Sequence, residues 1–127
     1  MSNLLENLNE KQKEAVLMTE GPVMAIAGAG SGKTSVLTTR IAYLIKKKNV
    51  SIKNILAITF TNKAAREMKE RVLNLTDQLP SEMWISTFHA FCAKILRFHI
   101  ESLGYKRGFQ IIDDDDAKKI IKEILKE

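Results

Sequence analysis

The chain has one cysteine, Cys92, in 127 residues, so no internal disulfide can form and no cysteine pair is present to hold zinc. Its two histidines, His89 and His99, lack the spacing of a zinc site. A reduced, cytoplasmic setting fits this usage. The amino terminus, MSNLLENLNEKQKEAV, lacks the basic start and apolar stretch of a signal peptide. No apolar run approaches the roughly 20 residues needed to cross a bilayer, so no membrane partner is expected. There are no internal repeats, and the only low-complexity tract is Asp113–Asp116. These absences argue against a disulfide-stapled module, a zinc finger, a membrane span and a solenoid.

What is present fits one ordinary globular domain. Apolar residues make up 45% and charged residues 28%, a balance that supports one core at this length. The net charge of +5 is uneven. Residues 1–108 carry 16 basic and 9 acidic side chains, so +7, whereas residues 109–127 carry 4 and 6, so −2. A basic body suits a polyanionic partner without naming it.

Asn9-Glu10-Lys11-Gln12 reads as a capping box that opens a helix to about Met18. Gly21-Pro22 breaks the chain. Val23–Ala27 reads as a short apolar strand. Lys33 to about Lys47 reads as a helix with Val36/Leu37, Ile41 and Leu44/Ile45 on one face. Lys46-Lys47-Lys48 in its last turn suits the helix dipole. Ile55–Thr59 is a second apolar strand. Asn62 to about Leu73 is a helix burying Ala64/Ala65, Met68 and Val72. Trp84–Ser86 is a third strand, and Phe88 to about Leu103 a helix with Phe91/Cys92, Ile95 and Phe98 inward. Phe109–Ile112 reads as a fourth strand, and Asp114–Glu127 as a last helix. Strand and helix alternate, and the strands are apolar on both faces. The expectation is an α/β fold with a parallel sheet and helices on both faces.

The stretch Ala27-Gly28-Ala29-Gly30-Ser31-Gly32-Lys33-Thr34 carries the strongest chemical signal. Glycines let backbone N–H groups turn toward one point and crowd against a phosphate. The helix opening at Lys33 aims its positive end at the same point. Lys33 is expected to reach the β- and γ-phosphates of a nucleotide, and the Thr34 hydroxyl to ligate Mg²⁺. The strict pattern wants glycine where Ala27 stands.

In a parallel sheet every strand-to-helix loop leaves the same edge. Two further loops therefore share the rim with the phosphate loop. TFTNKAAREM, from Thr59 to Met68, and ISTFHAFCAKIL, from Ile85 to Leu96, each set a phenylalanine among small polar residues. Aromatic faces stack bases, and Thr, Asn and His can bond phosphates. On pattern alone Phe88 can equally be a core residue, and Thr61 or Asn62 a plain helix cap.

LNEKQKEAV, AGAGSGKT, ITFTNKAAREMKERV and ISTFHAFCAKILR resemble four successive motifs of the UvrD/Rep/PcrA family of superfamily 1 DNA helicases. They fall in that family's order and span almost the whole chain. The resemblance implies a RecA-like P-loop fold, with residues 1–108 as the first part of the first RecA-like domain and residues 109–127 as the start of an inserted helical subdomain. It implies that Gln12 reads adenine, whereas the residues alone favour a Gln12 that only closes the capping box. It implies that Ala27, Gly28, Ala29, Gly30, Ser31, Gly32, Lys33 and Thr34 bind ATP with Mg²⁺. It implies that Phe60, Thr61 and Asn62, with Thr87, Phe88 and His89, touch single-stranded DNA. Many family members carry an arginine contacting the nucleotide where this chain has Ser35.

The family's activity is ATP-driven travel along single-stranded DNA, 3′ to 5′, and unwinding of tailed duplexes in processes such as DNA repair. It needs a strand-end acid pair, a second RecA-like domain and that domain's arginines. None is recognisable here, so the chain is expected to bind nucleotide without efficient turnover, and to have the rest of a helicase as partner. FQIIDDDD, Phe109 to Asp116, imitates an apolar strand ending in acids, but four aspartates before a lysine-rich helix also make an N-cap. Two other readings follow from the residues. One is a stand-alone nucleotide or single-strand binding module; the other is a small phosphotransferase using Asp113 or Asp114 with Mg²⁺.

Overall fold

A computed structural model describes residues 4–76 and 83–126. Five α-helices and two strands are found among them: α1 (Glu10–Leu17), α2 (Lys33–Lys48), β1 (Leu56–Thr59), α3 (Asn62–Thr76), β2 (Trp84–Thr87), α4 (Phe88–His99) and α5 (Asp114–Ile124). Short 3₁₀ turns cover Ile52–Asn54 and Ile100–Leu103. The chain divides into two compact units, Met1–Phe91 and Cys92–Glu127.

The helices start and stop where their local chemistry says. The Asn9 side chain accepts from the Gln12 backbone N–H at 2.9 Å, and Gln12 Oε1 accepts from the Asn9 N–H at 2.9 Å. Two orphan donors of α1 are thereby satisfied reciprocally. α2 ends at Asn49, whose left-handed φ of 55° asparagine tolerates better than most side chains. The following Val50 N–H closes on the Leu44 carbonyl at 3.0 Å. Thr61 Oγ1 accepts from the Ala64 N–H at 3.1 Å, and Thr87 Oγ1 from the Ala90 N–H at 3.3 Å, so α3 and α4 each open on a threonine.

β1 and β2 pair in parallel, Leu56 beside Trp84 and Thr59 beside Thr87, with α3 as the crossover. Alternation puts Ala57 and Ile85 on one face, where α2 and α3 cover them. The core there is Ile41, Ile52, Met68, Val72, Met83 and Ile85, with Ile45, Ile55 and Leu73 packed at its margin. On the other face Trp84 meets Phe91 edge-on, ring centroids 6.0 Å apart.

Four expectations are corrected. Val23–Ala27 forms no strand: it has no regular structure, and Ile26 is 93% exposed. An apolar segment becomes a strand only by pairing, and among the described residues the sheet holds β1 and β2 alone. Phe109–Ile112 likewise forms no strand, again without a ladder partner. The α2 face is rotated from the one read in the sequence, with Thr38, Thr39, Ile41 and Ala42 buried and Leu37 half-exposed. Thr38 and Thr39 lie on the buried face, which the periodicity of large apolar residues does not reveal. None of the expected inward residues of α4 is buried, and Phe98 is 63% exposed. That helix ends at His99, earlier than expected, and tightens into the 3₁₀ turn that Gly104 closes.

In the second unit, Asp113 Oδ1 accepts from the Asp115 and Asp116 N–H groups at 2.9 and 2.8 Å. The aspartate run is therefore the N-terminus of α5, as the capping reading had it. The expected last residue of that helix, Glu127, lies outside the described residues.

Candidate functional site

The glycine-rich loop wraps the N-terminus of α2. Gly30 and Gly32 have φ of +73° and +80°, a region that side-chain-bearing residues rarely adopt. A Cβ at Gly32 would also lie 3.0 Å from Gln12 Nε2, so that amide would have to give by a few tenths of an ångström. Gly32 caps α2 without any side-chain acceptor, and no acid stands in the first turn. The first N–H groups of a 16-residue helix are thus left for an outside acceptor, at the end where the dipole favours an anion.

Three tethers shape the loop. Lys33 Nζ donates to the Gly28 carbonyl at 2.7 Å and to the Ala27 carbonyl at 3.3 Å. Ser31 Oγ donates to the Gly28 carbonyl at 2.7 Å. Gln12 Nε2 donates to the Ser31 carbonyl at 3.0 Å. The capping reading of Gln12 is found in the structure, and the same amide makes a second contact. Its carbonyl oxygen closes the α1 cap while its amide nitrogen reaches the glycine-rich loop, nineteen residues away. One lone pair and one N–H of the amide remain uncommitted.

A cavity of about 440 Å³ opens between α1 and α2, walled by Gln12, Ile26, Lys33, Val36 and Arg40. The Arg40 guanidinium donates to the Ala15 carbonyl and ties the two helices together across it. Ser35 does not line this cavity, whereas Lys33 does. Sequence reasoning missed Arg40; a lone arginine inside an amphipathic helix carries no signal of its tertiary partner.

The residues expected to meet single strands sit at the C-terminal ends of the strands. β1 ends at Thr59, and Phe60, 93% exposed, leads into Thr61 and Asn62 at the start of α3. β2 ends at the buried Thr87, and Phe88, 62% exposed, and His89 open α4. Phe88 is thus no core residue. The parallel register sets Thr59 directly beside Thr87, so both loops leave one edge of the sheet. Thr61 and Thr87 use their hydroxyls as helix caps in this arrangement.

The described residues contain no group of three His, Cys, Asp or Glu side chains that could hold a metal ion. Asp113 is engaged as a cap, and Asp115 and Asp116 pair with Lys118 and Lys119 at 3.4 and 3.5 Å. No described helix is long and apolar enough to cross a membrane.

Comparison with known proteins agrees with the motifs. The chain is 56% identical over 126 residues to the ATP-dependent DNA helicase PcrA of Staphylococcus aureus, which covers 99% of this chain and 17% of that relative. The ATP-dependent DNA helicase PcrA of Staphylococcus epidermidis matches with the same identity and coverage. The chain therefore spans about a sixth of the length of these relatives. The family model for the UvrD/REP helicase N-terminal domain matches residues 8–127. The chain belongs to the UvrD/REP helicase family, within that family's N-terminal domain.

Proposed function

We propose that this chain is the ATP-binding part of a 3′-to-5′ DNA helicase, with the RecA-like P-loop architecture of such motors. Residues 1–108 would be the first part of the first RecA-like domain, and 109–127 the start of an inserted helical subdomain. The observation that supports the reading is the glycine-rich loop: Lys33 and the Gln12 amide both bond its carbonyls, and it leads into the uncapped first turn of α2.

Lys33 exchanges its loop carbonyls for the β- and γ-phosphates, and the N–H groups of residues 28–34 supply neutral donors around them. Gly28 and Gly30 leave open space that suits this approach. The Thr34 hydroxyl would hold Mg²⁺, which supplies positive charge to the triphosphate. The amide of Gln12 reads adenine with its free lone pair and N–H. Ser35, in place of the family's arginine, leaves one fewer cation at the nucleotide. Single-stranded DNA runs across the rim, stacking on Phe60 and Phe88, with Thr61, Asn62, Thr87 and His89 toward its backbone. The strands end in Thr59 and Thr87, with no acid to position a water or a metal. This chain therefore binds ATP without efficient turnover, in the cytoplasm. The acid pair, and the second RecA-like domain with its arginines, would come from elsewhere in the helicase.

The test is ATP binding and turnover by this chain with Mg²⁺, with and without single-stranded DNA. Saturable binding with no turnover in either case is expected. DNA-stimulated turnover by this chain alone would overturn the reading. Gln12→Ala is expected to lower the preference for ATP over GTP by about tenfold, from a two-pronged contact of about 1–3 kcal/mol. Because the lost cap weakens both nucleotides alike, competition between ATP and GTP isolates base reading. Phe60→Ala is expected to weaken binding of a single strand by about 5- to 150-fold, the loss of one stacked base at about 1–3 kcal/mol. Fluorescence anisotropy of a labelled oligonucleotide reads this directly, and an unchanged affinity would remove Phe60 from the path.

A further inference from the structure

From Gly21 to Arg66 the chain contains no acidic residue and eight basic ones. Three of these, Lys46, Lys47 and Lys48, form the last turn of α2. All three are exposed, and none makes an ion pair among the described residues. At 1.5 Å per residue the lysines stand about 20–22 Å along α2 from Lys33. The 3₁₀ turn and the start of β1 follow directly, which sets them at the edge where β1 begins, opposite the rim with Phe60. The dipole at a helix C-terminus favours each of these cations only weakly, because they are exposed to water and salt. Three adjacent ammonium groups repel one another, and no nearby acid in this stretch relieves them.

We propose that Lys46, Lys47 and Lys48 form a second contact for the phosphodiester backbone of DNA, separate from the rim. Successive helical residues point about 100° apart, so these arms fan around the helix end rather than present one flat face. Their long, flexible stems let the ammonium groups swing toward phosphates that pass the helix end. Lysine, a flexible point charge, binds phosphates without demanding fixed geometry, as sequence-independent contact requires. The contact does not depend on the rim reading, because it uses none of the same residues.

The test is anisotropy titration of this chain against a labelled duplex and a labelled single strand of mixed sequence, over a range of salt. The variants are Lys46→Gln/Lys47→Gln/Lys48→Gln and the corresponding triple arginine replacement. The glutamine variant is expected to lower the slope of log affinity against log salt by about 2–3 and to weaken low-salt binding by about tenfold or more. The arginine variant keeps the wild-type slope. A change of ~0.9 per lysine on duplex alone identifies duplex as the source, and ~0.7 on the single strand identifies that form instead. An unchanged slope with glutamine overturns the proposal, as does equal loss with arginine. Binding of a polyglutamate peptide that needs these lysines, with DNA indifferent to them, also overturns it. Phe60→Ala run in parallel separates the two sites: it is expected to keep the lysine-dependent slope whatever it does to rim binding.

Discussion

Lys33→Ala is expected to weaken Mg²⁺-ATP binding by this chain by roughly 10- to 150-fold, as titration calorimetry would measure. The magnitude follows from the loss of one charge-assisted contact to the triphosphate, about 1.5–3 kcal/mol. A second effect adds to it. Lys33 also bonds the Gly28 and Ala27 carbonyls, so the variant frees two acceptors that hold the loop in shape. Lys33→Arg separates the two effects. It keeps the charge but replaces a compact ammonium with a broad fork, and is expected to bind ATP more weakly than the wild type while retaining more than alanine. The Lys33 side chain is exposed and outside the core, so circular dichroism of both variants is expected to match the parent. Undiminished affinity in Lys33→Ala would mean that the triphosphate does not sit on this loop.

Ile85→Ala is expected to cost about 2–5 kcal/mol of stability, the second large effect. Ile85 is 1% exposed and lies with Ile41, Met68 and Val72 in the core cluster, so the deletion leaves a cavity lined from α2, α3 and β2. Among the described residues the sheet has two strands, which by themselves add little stability. A loss of that size is a large part of the stability of an ordinary small domain. The urea midpoint is expected to fall by about 1–3 M, with m unchanged. Ile85→Val, which removes one methylene, should cost only about 0.5–1.5 kcal/mol. Phe60→Ala is the contrast: at 93% exposure it should leave the midpoint where it is. If Ile85→Ala unfolds at the parent's midpoint, the packing of β2 beneath α2 and α3 is wrong.

Much of the candidate site was legible because its parts are local. Gly30, Gly32 and Lys33 announce a strained turn and a helix start within four residues, and both are found there. Thr61 and Thr87 were open to a capping reading, and each accepts a hydrogen bond from the N–H three residues on. What failed was non-local. Val23–Ala27 has the composition of a buried strand, yet composition cannot supply the neighbours that make one. The apolar residues of α4 have helical spacing, yet spacing does not say what covers them.

The sequence by itself determined the helix starts, the glycine-rich turn before α2, the two strands flanking α3, and the family, since each is written in contacts within a turn or in contiguous motifs. Only the tertiary structure decided that Gln12 closes the α1 cap and holds the Ser31 carbonyl at once, and that Arg40 ties α2 to Ala15. It also decided which face of α2 is buried and which apolar segments stay in water. The physical reason is range. A cap satisfies N–H groups three residues away, whereas a strand, a buried face or a tether across nineteen residues exists only when distant parts of the chain arrive to complete it.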